Sequence, residues 1–287
     1  MSTIHLPTPL TGLSQIAGAY DGLICDVWGV IHNGREGFPD AIAAITQFRQ
    51  TRGPVVLLSN APRPAEGVET QFDRIGVPRG FYDAVVTSGG AARADLERRV
   101  VEAGKTLHVF HLGPNRDSPL LAGLDVVSSP LAEADVVLCT GPFQDETEKP
   151  EDYREMLTEV KARGLTFLCA NPDIVVQRGA QIIYCAGALA RYFEEMGGRV
   201  VYYGKPHPAV FRDALTALGA RKKTANVLVI GDGLETDIKG ANGVGLDSLF
   251  VASGIHGREF HENRDALAAR FAAHGVRATA AMDALRW

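Results

Sequence analysis

Cysteine is scarce in this chain, and what there is carries no metal or disulfide pattern. Cys25, Cys139, Cys169 and Cys185 are the only 4 in 287 residues, each in apolar surroundings and none in a C-x-x-C spacing. That argues against a disulfide framework or a zinc ribbon and for buried free thiols in a reducing cytoplasm. Long hydrophobic runs are missing too: no stretch reaches the ~18–20 residues of a membrane span. Met1 to Leu10 has neither a basic n-region nor an apolar h-region, so secretion is not indicated. There is no basic excess, since 29 Lys and Arg stand against 34 Asp and Glu for a net charge of −5. The one basic run, Arg221-Lys222-Lys223, reads as a solvated loop between a helix and a strand. Neither nucleic acid nor a membrane is therefore an expected partner. Repeats and low-complexity tracts are absent. What remains, 46% hydrophobic and 22% charged residues, fits a soluble globular enzyme whose core forms without staples.

Strand-like runs alternate with helical patterns along most of the chain, the signature of a parallel α/β sheet. The expected strands are Leu23–Val27, Val55–Leu58, Ala84–Val86, Asn226–Ile230 and Ser248–Val251. Between them fall helices over Pro39–Gln50, Pro62–Ile75, Pro208–Leu218 and Leu234–Ala241. A second α/β unit interrupts this series, with short strands Leu107–His111, Val136–Cys139 and Leu165–Cys169 and helices Asp152–Lys161 and Gly187–Met196. Glycine clusters at Ser88–Gly90 and Gly198 set its limits. The expected organisation is a doubly wound parallel core of residues 1–88 and 200–287, with residues 89–199 inserted as a cap.

Four polar sets each follow a strand-like run. Asp26-Val27-Trp28-Gly29-Val30 follows the first strand, and Ser59-Asn60 follows Val55–Leu58. Gly204-Lys205-Pro206 follows Val200–Tyr203, and Gly231-Asp232-Gly233 follows Val227–Ile230. Ligands bind at the carboxyl ends of parallel strands in open α/β sheets, so two carboxylates, a hydroxyl and an ammonium are expected to meet in one crevice. A dinucleotide turn is a poorer reading, because Thr236 occupies its third glycine position, and a phosphate loop is excluded, because Pro206 stands where its lysine is followed by Ser or Thr.

In that order and spacing, Asp26-x-x-Gly29-Val30, Ser59-Asn60, Gly204-Lys205-Pro206 and Gly231-Asp232-x-x-x-x-Asp237 resemble the four motifs of the haloacid dehalogenase superfamily. The long insert between the second and third resembles its type IIA branch, the sugar-phosphatase and p-nitrophenyl-phosphatase-like proteins. The likeness spans Tyr20 to Val251 and implies the fold of that superfamily with an α/β cap of the C2 type.

Asp26 is the expected nucleophile, since a carboxylate can attack a phosphoryl group and split one displacement into two through an aspartyl-phosphate. Asp232 would hold a divalent metal with Asp26, and hard oxygen donors suit Mg²⁺. The resemblance adds the Trp28 backbone carbonyl as a ligand. Asp237 would orient the metal's surroundings, or serve simply as an acid in a helix's first turn. Lys205 would neutralise the nucleophile and the transferring phosphoryl oxygens. Ser59 and Asn60 would offer a hydroxyl and an amide to phosphate oxygens, or cap a helix. Asn171-Pro172-Asp173 resembles the cap loop that faces the site in type IIA relatives, and substrate selection is expected there. Asn60, Trp28, Asn171, Asp173 and Gly233 are the expected substrate contacts.

One position departs from the pattern. Phosphatases of this superfamily usually carry a second aspartate two residues after the nucleophile, which protonates the leaving group, and here that position is Trp28. General acid–base catalysis is worth about 10²–10⁴-fold, and an indole N–H cannot supply it. Trp28 reads either as packing under the cap or as a surface on which substrate stacks. His32, His207 and Asp173 are the candidate replacement acids.

The expected function is a cytoplasmic, Mg²⁺-dependent hydrolase of small phosphomonoesters such as sugar phosphates, with weakened leaving-group protonation. Two alternatives stay open: C–halogen or C–P cleavage by the same carboxylate, and a phosphometabolite-binding or regulatory protein whose catalytic step has decayed. The resemblance also implies a homodimer through the cap.

Overall fold

The computed structural model describes residues 6–178, 181–219, 226–252 and 264–287. Its chain divides into two units. One comprises Met1–Ser59, Glu69–Val86 and Lys205–Trp287, the other Asn60–Val68 and Thr87–Gly204. The basic run Arg221-Lys222-Lys223 lies outside the described residues. Among the described residues no helix is long and apolar enough to cross a membrane.

The first unit opens with β1 (Thr8–Pro9), β2 (Gly22–Asp26), β3 (Val55–Ser59) and β4 (Ala84–Thr87). Three helices lie between these strands: α1 (Ser14–Ala17), α2 (Pro39–Thr51) and α3 (Ala65–Arg74). The second unit runs from α4 (Ser88–Ala103) through β5 (Leu107–Leu112), β6 (Val126–Ser128), β7 (Val136–Cys139), α5 (Arg154–Ala162) and β8 (Thr166–Cys169). It continues with β9 (Val175–Arg178), β10 (Gln181–Tyr184), α6 (Ala186–Glu195) and β11 (Val200–Tyr202). The chain then completes the first unit with α7 (Pro208–Ala217), β12 (Val227–Gly231), α8 (Lys239–Val244), β13 (Asp247–Val251), α9 (Arg264–Ala273) and β14 (Ala280–Met282).

The core sheet has the order β1-β14-β13-β12-β2-β3-β4, and β1–β14, β14–β13, β13–β12, β12–β2 and β2–β3 all pair in parallel. Every residue of β2, β3 and β12 is buried, which is why these strands read as unbroken apolar runs rather than alternating ones. One face carries α7, whose Val210, Phe211 and Ala214 pack with Ile24, Val56, Leu58 and Val229. A second cluster joins Leu267 and Phe271 of α9 to Phe250. Helix α2 starts with Pro at its first position, where the missing N–H costs nothing, and buries Ala41, Ala44, Ile45 and Phe48 at helical spacing. The functional consequence lies in the strand order. Strands following β2 are laid to one side of it and the late strands to the other, so β2 and β12 flank the switch point where such sheets open a crevice.

In the second unit a five-stranded parallel sheet has the order β11-β8-β7-β5-β6, and β9 and β10 form a separate antiparallel pair. Residues alternate across this sheet. Val137, Cys139, Phe167 and Cys169 join the cluster that includes Leu157 of α5 and Leu189 and Phe193 of α6. Val136, Leu138 and Leu168 join Ala92 and Leu96 of α4 instead. All four cysteines are buried and free.

Three expectations need correction. Val200–Tyr202, expected at the start of the returning core, pairs with β8 in the second sheet. An apolar run shows that it is a strand but not which sheet takes it. Helix α3 begins at Ala65 rather than Pro62, because the proline at 64 pushes Arg63 out of the helical region. The helix expected over Asp152–Lys161 opens as a 3₁₀ turn, Pro150–Tyr153, before α5.

Candidate active site

Asp26 is the last residue of β2, and its Oδ1 accepts the Val27 N–H at 2.7 Å. The Lys205 ammonium lies 2.6 Å from the same oxygen and donates to Asp237 Oδ1 at 2.7 Å. Asp26, Lys205 and Asp237 are only 7%, 2% and 1% exposed, so these ion pairs work with little solvent screening. Asp237 is pinned at its other oxygen, where Oδ2 accepts from the Gly233 N–H at 3.1 Å and from the Thr236 hydroxyl at 3.3 Å. The Gly233 N–H is thus engaged in holding a carboxylate.

Asp232 completes the group. Carboxylate oxygens of Asp26, Asp232 and Asp237 lie within 4.8 Å of one another. Glycine at 29 makes this approach possible: its φ is +84°, and a Cβ there would stand 2.1 Å from Asp232 Oδ2. Three carboxyl groups thus meet at one ammonium. Burial, with Asp237 beside it, drives the Asp26 carboxyl well above the usual carboxylate range, although Lys205 pulls the other way. Burial opposes the charge on Lys205, but Asp237 and Asp26 outweigh it and hold the ammonium above the usual lysine range. Hard oxygen donors clustered in this way fit a divalent cation such as Mg²⁺. Both oxygens of Asp237 are already bonded, which suits it to orienting its neighbours.

Ser59 ends β3 and is buried one step beyond Leu58, the register partner of Asp26. In the second unit, Asn60 donates to Asp173 Oδ1 at 2.7 Å, and the Asp173 N–H donates to Asn171 Oδ1 at 3.1 Å. Asn60, Asn171 and Asp173 therefore form a hydrogen-bonded set of their own.

Trp28 is half-buried and turned back on its own loop. Its ring covers Gly34, where a Cβ would come within 2.4 Å of it, and meets His32 edge-on at 5.2 Å. His32 is buried, and its Nδ1 accepts the Gly34 N–H at 2.9 Å. Burial lowers its pKa to about 4, so the ring is neutral at physiological pH and has no acidic proton to give. His207 stands in extended conformation just ahead of α7. The sequence reading missed the packing of His32 on Phe72 at 5.8 Å. The two residues are far apart in the chain, and only the apolar face of α3 hinted at a partner. Two open surface clefts, of ≈ 400 Å³ beside Trp287 and ≈ 320 Å³ beside Arg99, are lined by none of these residues.

Comparison with known proteins gives a consistent picture. A haloacid dehalogenase-like hydrolase family model matches residues 23–126, and a HAD-hydrolase-like model matches residues 202–278. The ribonucleotide monophosphatase NagD of Escherichia coli is 28% identical over 236 residues, covering 81% of this chain and 88% of NagD. The solved structure of a haloacid dehalogenase-like hydrolase from Brucella suis is 41% identical with a TM-score of 0.83, covering 98% of this chain and 100% of that one. A glycerol phosphate phosphatase from Mycobacterium tuberculosis, solved with magnesium, is 26% identical with a TM-score of 0.65, covering 87% of this chain and 74% of that one.

Proposed function

The chain belongs to the type IIA branch of the haloacid dehalogenase-like hydrolases and acts on phosphomonoesters, and from that premise we propose a Mg²⁺-dependent phosphatase that works through an aspartyl-phosphate at Asp26. The observation that carries the reading is the bridge of Lys205 between Asp26 and Asp237, with Asp232 within 4.8 Å of both carboxylates.

In this reading the Val27 N–H and Lys205 hold Asp26 Oδ1 and leave Oδ2 to attack phosphorus. The P–O ester bond breaks as the Asp26–phosphorus bond forms, and the leaving oxygen takes the electron pair. Water then attacks the aspartyl-phosphate, releasing inorganic phosphate and restoring the carboxylate. Lys205 balances charge on Asp26 and the phosphoryl oxygens, and Ser59 donates to one of those oxygens. Asp26, Asp232 and the Trp28 carbonyl would hold the cation, with Asp237 behind them. Once bound, it supplies the positive charge that phosphoryl transfer requires. The family resemblance supports a role for Asn60, Asn171 and Asp173 in selecting the substrate's organic part.

No acid stands two residues after the nucleophile, and His32 is neutral and packed away. The enzyme should therefore favour esters whose leaving group departs unprotonated. With Mg²⁺ present, aryl phosphates are expected to turn over at least about 10²-fold faster than simple alkyl phosphates. EDTA and Asp26→Asn should each abolish turnover. Equal rates on both ester classes would contradict the missing-acid argument. Binding without turnover would point instead to a phosphometabolite-binding protein, and metal-independent release of halide to C–halogen chemistry. Small sugar phosphates, glycerol phosphate and nucleotides belong in the same assay, since relatives carry such names. A cytoplasmic setting and a homodimer through the cap complete the reading. Four buried thiols without a disulfide support the first, and light scattering tests the second.

A further inference from the structure

Trp28 ends a series of ring contacts. Its ring is fixed on Gly34, and its edge contact with His32 at 5.2 Å and 74° continues to Phe72 at 5.8 Å and 78°. Phe72 is wholly buried and meets Tyr82 at 6.0 Å and Phe81 at 6.2 Å. His32 cannot swing away, because its Nδ1 is tied to the Gly34 N–H. A column of aromatic rings rooted in α3 thus stops at a half-buried indole two residues from the nucleophile. Among the described residues that indole N–H has no hydrogen-bond partner. That N–H is not buried, so the exposed part of a ring held by its neighbours is the surface a ligand could meet.

We propose that Trp28 is a specificity-determining platform for planar aromatic leaving groups, with His32 as the positioning residue that holds it. The inference rests on the phosphatase reading and narrows its substrate class to phosphate esters of phenolic or heteroaromatic alcohols. Leaving-group chemistry points the same way. An aryl oxyanion departs with the P–O electron pair and takes its proton from water, so a site without an acid can still release it. The ring that displaces the usual acid also provides the surface that gathers the substrates needing none.

Leaving-group quality and ring stacking can be separated with acetyl phosphate, whose leaving group is good but has no aromatic ring. Wild-type enzyme with Mg²⁺ should hydrolyse both acetyl phosphate and phenyl phosphate, with KM about three- to ten-fold lower for the phenyl ester. Trp28→Leu should bring that KM ratio close to one. His32→Leu should weaken the ratio through KM while kcat on phenyl phosphate changes less, a split that general loosening of the fold would not give. An independent readout uses fluorescence, since Trp28 and Trp287 are the only 2 tryptophans. In Trp287→Phe, benzylphosphonate should quench the remaining emission, whereas methylphosphonate should not. Equal KM for the two substrates with no selective quenching would overturn the platform and leave the phosphatase reading intact. Failure to hydrolyse either substrate would instead overturn the reading beneath it.

Discussion

At the residue scale the site depends on side chains whose ionisation is set by burial. His32 shows the sign of the effect. Its ordinary pKa of 6.5 falls to about 4 in the fold, so between those values the unfolded chain binds a proton that the native ring refuses. Its contribution is complete above pH 6.5 and is lost as pH falls towards 4, by up to about 3 kcal/mol. His32→Asn keeps an acceptor for the Gly34 N–H but has no such titration. Urea denaturation at pH 7 and pH 4.5 should show wild type losing more stability than the variant, and parallel losses would refute the assignment. Asp26 and Asp232 were legible as site residues because a carboxylate directly after an apolar run is costly unless it has work to do. The environment of Trp28 was not legible. Its neighbour His32 packs on Phe72 from α3, a contact that no local pattern announces.

At the element scale, β2 and β12 bring Asp26 and Asp232 together because they are hydrogen-bonded neighbours at the switch in strand order. The alternation of apolar runs and helices foretold this kind of sheet. It could not foretell that the strand before Lys205 belongs elsewhere, since β11 is as apolar as a core strand and differs only in its partner. Lys205 reaches Asp26 as the first residue of the returning core segment, ahead of α7. Replacing it with Met would leave three carboxylates facing one another without their cation. In EDTA at neutral pH, Lys205→Met should lose about 3–5 kcal/mol of stability, by the usual cost of orphaning buried charge. The deficit should shrink as pH falls, because protonated carboxyls no longer repel. A variant as stable as wild type would show that the ammonium does not carry this balance.

At the scale of the whole molecule, residues far apart in the chain build one charge arrangement: three clustered carboxylates with an ammonium bridging two of them. Long-range convergence of this kind is invisible to local pattern. It became readable only because four short motifs occurred in one order, each after a strand-like run. Mass spectrometry of the acid-quenched enzyme tests the claim most directly, after brief mixing with Mg²⁺ and an aryl phosphate. A single phosphoryl group is expected on the peptide containing Asp26, absent without Mg²⁺ and absent in Asp26→Asn. Steady turnover with no label on that peptide, or turnover that survives Asp26→Asn, would contradict it.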